Sequence, residues 1–190
     1  MGKVVVGMAM SLDGFVNDRD GDVGRLYPDF DAFRSGEVLR ESIATTGAVV
    51  MGRHAYEMGD PDSYAGNYEY QAPIFVLTHH VPEKLPKEDG RLTFTFVTDG
   101  IHTAIEKAKA AAGDKDVTVI GGANTIQQFI QAGLLDEIHI DLVPVLLGDG
   151  LRLFEHLGAE PIELERMHVI EAPSVTHLRF RIVKGNSARK

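Results

Sequence analysis

Apolar and polar positions fall in blocks along this chain, and the period changes from block to block. KVVVGMAM (3–10) is a continuous apolar run, the pattern of a strand covered on both faces. DFDAFRSGEVLRESIATT (29–46) sets Phe30, Phe33, Val38, Leu39 and Ile43 at helical spacing, with Gly36 a weak point in its first half. AVVMG (48–52) and APIFVLTHH (72–80) predict the second and third buried strands. The polar stretch 81–92, with Pro82 and Pro86, predicts a surface connection, and TFTFVTD (93–99) a fourth strand. IHTAIEKAKAAA (101–112) predicts a helix stopped by Gly113, and DVTVIGG (116–122) a fifth strand. ANTIQQFIQAG predicts a helix ending at Gly133, and EIHIDLVPVLL (137–147) a long sixth strand. ELERMHVIEA (163–172) and SVTHLRFRIV (174–183) predict a closing antiparallel pair around Pro173.

Strands separated by helices require parallel crossovers, whereas the last two strands have no helix between them. The expected fold is a three-layer α/β/α domain with a mixed, mostly parallel sheet and antiparallel C-terminal strands. No repeat, low-complexity tract or linker interrupts the pattern. One domain over 1–184 is expected, followed by a frayed tail at 185–190.

Composition narrows the function classes. A hydrophobic content of 44% is that of a globular chain and argues against bulk disorder. No apolar run approaches the ~20 residues of a membrane span. The N-terminus passes directly into strand-like sequence without a cleavable site, so a cytoplasmic protein is expected. The absence of cysteine rules out disulfides, a thiol nucleophile and thiolate-bound zinc. A net charge of -9 argues against general nucleic-acid binding but leaves small anions open, since these need only a local positive pocket.

In open α/β sheets, ligands bind beyond the carboxyl ends of the strands, and four such ends carry distinctive residues. Met51-Gly52-Arg53-His54 joins a buried strand to a helix, where backbone N–H groups, a glycine and an arginine fit an anion. A solvated arginine after a turn glycine is the competing reading. Gly121-Gly122-Ala123-Asn124 is a second strand-to-helix junction, either a ligand cradle or a tight packing turn with Asn124 near the helix cap. It is not a GxGxxG fingerprint. Leu77-Thr78-His79-His80 ends a strand in hydroxyl and imidazole groups, a weak pattern for a metal because strand neighbours face opposite ways. Ser11-Leu12-Asp13-Gly14 offers Asp13 to orient a substrate or donate a proton, against the commoner Asp-Gly turn. Asp18, Asp20 and Asp22 lack the bidentate glutamate of a calcium loop and read as an acidic turn. His139, His168 and His177 lie in strands and read as structural.

Three segments in order, VVMGRHAYE, IFVLTHH and VTVIGGANTIQQFIQAGLLDEIHI, resemble the dihydrofolate-reductase-like superfamily across roughly residues 3–183. SLDGFVN and LLDEIHIDLVPVLLGDGLRLF resemble its riboflavin-biosynthesis reductase branch, with its stand-alone bacterial relatives, more than true dihydrofolate reductases. The resemblance implies NADPH. Gly52, Arg53 and His54 would meet the phosphates, with Arg53 near the 2′-phosphate. Leu77 and Thr78 would flank the adenine and its ribose phosphate, with His79 and Ile120 alongside. Gly121, Gly122, Ala123 and Asn124 would pass under the pyrophosphate, and Ala9 would lie near the nicotinamide. A cofactor that carries the hydride needs no protein nucleophile. In true dihydrofolate reductases a first-helix carboxylate grips the pterin, and here that helix offers Asp29 and Asp31, beside Phe33 and Arg34. Asp13 and Asp31 are the candidate catalytic acids.

The activity implied is NADPH-dependent reduction of a small pterin-like or pyrimidine-like heterocycle. One alternative is the riboflavin-pathway 5-amino-6-(5-phosphoribosylamino)uracil reductase, whose substrate calls for a second basic phosphate site. The other is a non-catalytic nucleotide-binding dimer. The apolar LVPVLL stretch is the feature that points to a homodimer.

Overall fold

The computed structural model describes residues 2–184, and the predicted tail at 185–190 lies outside them. Each predicted apolar run forms a strand: β1 (Val4–Ser11), β2 (Thr46–Gly52), β3 (Ile74–Leu77), β4 (Phe94–Val97), β5 (Asp116–Ile120), β6 (Glu137–Val143), β7 (Leu164–Ala172) and β8 (Val175–Ile182). They make one eight-stranded sheet in the order β4-β3-β2-β5-β1-β6-β8-β7. The pairings from β4 through β6 are parallel, and β8 runs antiparallel to both β6 and β7. The mixed α/β sheet expected from the sequence is therefore present, with its antiparallel edge at the C-terminal hairpin.

Among the described residues five α-helices complete the fold: α1 (Phe30–Ser35), α2 (Glu37–Thr45), α3 (Arg53–Glu57), α4 (Ile101–Ala112) and α5 (Ala123–Gln131). The single helix predicted over 29–46 is two, because Gly36 is extended at φ -63, ψ 147 and separates them. Asp29 starts α1 by accepting the Ala32 N–H at 2.9 Å, a side-chain N-cap. The sixth strand stops at Val143 rather than 147, since Pro144 has no N–H to continue a ladder.

Alternate residues along each strand feed opposite layers. Val50 and Val119 pack with Ala104, Ile105 and Ala108 of α4 and with Ile126 and Phe129 of α5. Val49, Met51, Ile74 and Val76 face the other way, onto Leu39 of α2 and the ring cluster of Tyr56, Tyr64 and Tyr70. Tyr56 and Tyr64 stack at 5.6 Å between ring centroids, and Phe94 and Phe96 meet Tyr56 edge-on. No helix among the described residues is long and apolar enough to cross a membrane.

The ends of the central strands are fixed by carboxylates. Asp136 accepts the Val4 N–H at 2.8 Å, and Asp116 accepts the Lys3 N–H at 2.8 Å. These bonds hold β1 in register between β5 and β6, which sets where its carboxyl end emerges.

Candidate active site

Strands β3, β2, β5 and β1 are neighbours and parallel, so their carboxyl ends share one edge of the sheet. Gly52 is opposite Leu77, Met51 is opposite Ile120, and the Gly52 N–H donates to the Gly121 carbonyl at 2.9 Å. The three segments singled out in the sequence therefore meet, although 69 residues separate Gly52 from Gly121.

The two junction glycines differ in what surrounds them. A Cβ on Gly52 would fall 2.4 Å from Thr125 Oγ1, so the close approach of β2 to α5 admits no side chain. A Cβ on Gly122 would meet nothing within 4 Å, and its φ of -78 is open to any residue. Neither packing nor backbone geometry asks for glycine at 122. Gly122 is the N-cap of α5, and no side chain caps that helix, which leaves its first-turn N–H groups without a side-chain acceptor. Gly121 takes φ +44, and the peptide between the two glycines is cis. An uncapped helix start, with room over a bare backbone, fits a pyrophosphate.

The remaining expected cofactor residues surround this cradle. Arg53 is half exposed and bonds Glu57 at 3.0 and 3.1 Å, one turn along α3, while its other amino group lies 3.2 Å from His54 Nε2. Such an exposed pair contributes little and leaves the guanidinium free to exchange partners. Thr78 Oγ1 donates to the His80 carbonyl at 2.8 Å and shapes the loop that carries exposed His79. Asn124 is exposed and accepts from Gln128 at 2.6 Å. Ala123 is buried in the core beneath the junction. Ala9, 5% exposed, lies in β1 two residues before its end and lines a cleft.

That cleft has a volume of about 470 Å³. It is lined by Met8 and Ala9 of β1, by Ile120 and Gly121 at the end of β5, and by Tyr27, Phe30, Met58, Tyr64 and Tyr68. Arg34 and Glu69 are its charged residues. A second cavity of about 640 Å³ adjoins it, sharing Ala9, Tyr27, Tyr68, Glu69 and Ile120. This one runs along the sheet to His139, Asp141, His177 and Arg179, beneath the β7–β8 turn. His177 and Asp141 lie 2.5 Å apart, and Arg179 bonds Glu41 at 2.8 Å. Burial pushes the Tyr27 and Tyr64 hydroxyls up to about 12, so both stay neutral hydrogen-bond groups at physiological pH. Burial also lowers His139 below the usual imidazole range, against the opposing pull of Glu137.

The two expected catalytic acids are not brought here: neither Asp13 nor Asp31 lines either cavity. Asp31 is exposed on α1. Asp13 accepts from Ser11 Oγ at 2.6 Å, the Leu147 N–H at 3.1 Å and the Gly148 N–H at 2.8 Å, tying the loop after β1 to the loop after β6. The Ser11 hydrogen bond leads in holding its carboxyl down at about 2, so it carries no proton to donate at neutral pH. Because its folded pKa lies below the unfolded value, this contribution is present above about pH 4 and is lost as pH falls toward 2. Asp13→Asn is therefore expected to lower the urea midpoint at pH 7, and the gap from the parent should narrow between pH 4 and 2.

The segment 58–71 is the part of the site that sequence reasoning missed. It supplies Met58, Tyr64, Tyr68 and Glu69, and its three tyrosines in seven residues, from a chain with only five, were the available signal.

A family model described as the RibD C-terminal domain matches residues 2–178. The Bacillus subtilis (strain 168) uncharacterized protein YyaP is 26% identical, with 80% of each chain covered. The crystal structure of a putative riboflavin biosynthesis protein from Shewanella sp. PV-4 superposes with a TM-score of 0.77 at 24% identity, covering 96% of this chain and 99% of that one. Dihydrofolate reductase from Enterococcus faecalis, complexed with NADP(H), superposes with a TM-score of 0.62 at 16% identity, covering 96% and 98%. At these identities the two structures show a shared fold.

Proposed function

The chain belongs to the RibD C-terminal domain family, and from that premise we propose that it is an NADPH-dependent reductase of a small planar heterocycle. The observation that carries this reading is the open, uncapped start of α5 at Gly122, directly beside an aromatic cleft floored by Ala9. The NADP(H) complex of the Enterococcus faecalis protein of the same fold supports it.

In this reading the backbone of Gly121 and Gly122 and the first turn of α5 hold the pyrophosphate. Arg53, with His54 beside it, meets the 2′-phosphate, and Leu77, Thr78 and His79 border the adenosine. NADPH, when bound, supplies the hydride. The protein positions the substrate against the Ala9 floor and keeps water from the apolar walls, which strengthens every polar contact inside. Arg53→Ala is expected to weaken NADPH by about tenfold while changing NADH little, since a charge-assisted contact to phosphate is worth roughly 1.5–3 kcal/mol. Titration of both cofactors into both proteins checks this, and equal losses would remove the 2′-phosphate role.

The family match favours a second reading, the riboflavin-pathway reductase itself. Turnover of synthetic 5-amino-6-(5-phosphoribosylamino)-substituted substrate supports it, and failure of turnover by the NADPH-bound protein excludes it. A homodimer is part of the proposal, but not through LVPVLL: Val143, Val145 and Leu147 turn onto Ala9 and Leu26, leaving Leu146 exposed. The element in keeping with a second copy is the edge strand β7, where Leu164, Val169 and Ile170 are exposed, and sedimentation velocity tests it.

A further inference from the structure

We propose that His177, oriented by Asp141, is the proton donor of the reduction and works from its Nε2 atom in the second cavity. The proposal rests on the reductase reading for the hydride and adds the group that supplies the accompanying proton.

Neither Asp13 nor Asp31 lines a cavity, which leaves the donor's role to residues that do. Ala9, Asp141 and His177 are register partners on β1, β6 and β8 and form one row across three neighbouring strands. Partners in register point to the same face of a sheet, and all three residues line the second cavity. At about 4.8 Å between strands, the row brings the His177 backbone to about 10 Å from that of Ala9. His177 Nδ1 lies 2.5 Å from Asp141 Oδ1, the arrangement in which a carboxylate fixes an imidazole's tautomer and orientation. With the Nδ1–H donated to Asp141, Nε2 becomes the exchangeable site. Among the described residues Nε2 has no hydrogen-bond partner, although the side chain is only 11% exposed. His139, the other imidazole on this wall, pairs with Glu137 at 3.1 Å, and burial lowers it below the usual range.

Gly7 leaves space for a ligand beside the pair. It sits inside β1, where glycine is unfavourable, yet a Cβ on it would meet nothing within 4 Å. It lines the same cavity, opposite His139 in the register. Charged groups reach this space from the surrounding elements. Asp29 precedes α1, Glu37 opens α2, Glu69 precedes β3, and Arg179 on β8 is held by Glu41 at 2.8 Å. On β7, uncharged Ile170 is opposite His177, and His168 is opposite Arg179. Carboxylates therefore outnumber guanidinium groups on these walls, a field that favours positive charge. Burial raises the Tyr27, Tyr68 and Tyr70 hydroxyls, which makes them poor proton donors.

In the step, a C=N or conjugated C=O unit of the substrate accepts hydride at carbon, and its π pair moves to the nitrogen or oxygen. Nε2–H of the imidazolium gives that atom its proton. The substrate gains two electrons and two hydrogens, NADPH is oxidised to NADP+, and the neutral ring regains a proton from water entering the cavity. Asp141 is a positioning residue: it holds the ring and touches no reacting atom.

The test compares the full chain with its His177→Gln and Asp141→Asn variants, using 7,8-dihydrobiopterin and 5-amino-6-(5-phosphoribosylamino)uracil as probe substrates. His177→Gln should lower kcat about a hundredfold or more, the scale of general acid catalysis, while KM, NADPH affinity and melting temperature stay near the parent's. The parent's kcat should fall as pH rises and the imidazolium is lost, and that limb should be absent from His177→Gln. Asp141→Asn should lower kcat about tenfold or more by changing the tautomer. Ring-nitrogen NMR, which needs neither cofactor nor substrate, should find the neutral ring's proton on Nδ1 in the parent and shifted toward Nε2 in Asp141→Asn. An unchanged kcat or a surviving pH limb in His177→Gln overturns the donor role and leaves the reductase reading standing. A neutral parent ring protonated on Nε2 overturns the part given to Asp141. If the parent oxidises NADPH with neither probe, the reductase reading falls and takes the donor role with it, whatever the ring spectrum shows.

Discussion

A methyl group placed on Gly122 is expected to lower NADPH affinity by about tenfold or more, because overpacking a closed contact costs about 1–3 kcal/mol and each 1.4 kcal/mol is a factor of ten. The same substitution should shift the melting temperature by no more than about 3 °C, the size of a weakened N-cap in a chain of this length. The contrast comes from what surrounds the position. Nothing in the protein lies within 4 Å of the added carbon, and φ is -78, so the folded chain tolerates alanine. If a pyrophosphate crosses this backbone, the methyl group occupies its place. Paired measurement of thermal unfolding and NADPH binding separates the two. Unchanged affinity in Gly122→Ala would remove the cradle from the account.

Ala9→Leu is expected to lower kcat/KM by about a hundredfold or more, the scale on which small displacements of reacting groups act. Ala9 is 5% exposed yet borders both cavities, so a longer side chain can enter empty volume rather than overfill the core. The protein should fold with near-parental stability and still bind the adenosine half of the cofactor, because the site proposed for that half lies at β2 and β3, away from Ala9. Turnover should fail because the reactive ring and the substrate lose the space over the sheet. Retained turnover in Ala9→Leu would place the chemistry elsewhere.

The fold was legible because its central parallel strands are largely buried and read as near-continuous apolar runs, with helices between them. Errors of extent have physical causes. Thr78–His80 and Gly121–Gly122 were read as parts of strands but lie beyond the strand ends, at the carboxyl edge of the sheet. Helix 29–46 broke at Gly36, which helical spacing alone could flag but not split. The proximity of Gly52, Leu77 and Gly121 in the candidate site was readable because strand ends have a local signature, and the parallel order of the sheet gathers them. Asp13 carried no such signature. An acid after a strand can face a ligand or clamp a loop, and the partners that decide it, Leu147 and Gly148, lie 134 and 135 residues away. Glu69 was hidden for a similar reason. It sits in an irregular segment whose aromatic neighbours come from Tyr27 and Phe30, far off in sequence, so no periodicity announces that it faces a cavity.

Calorimetric titration of NADPH into the full chain tests the central claim, that the shared edge of β1, β2, β3 and β5 is a reductase's cofactor site. The account predicts one saturable site per chain with a dissociation constant in the micromolar range or tighter, displaced by the oxidised cofactor. Absence of binding heat and of any competing signal at micromolar NADPH would contradict it.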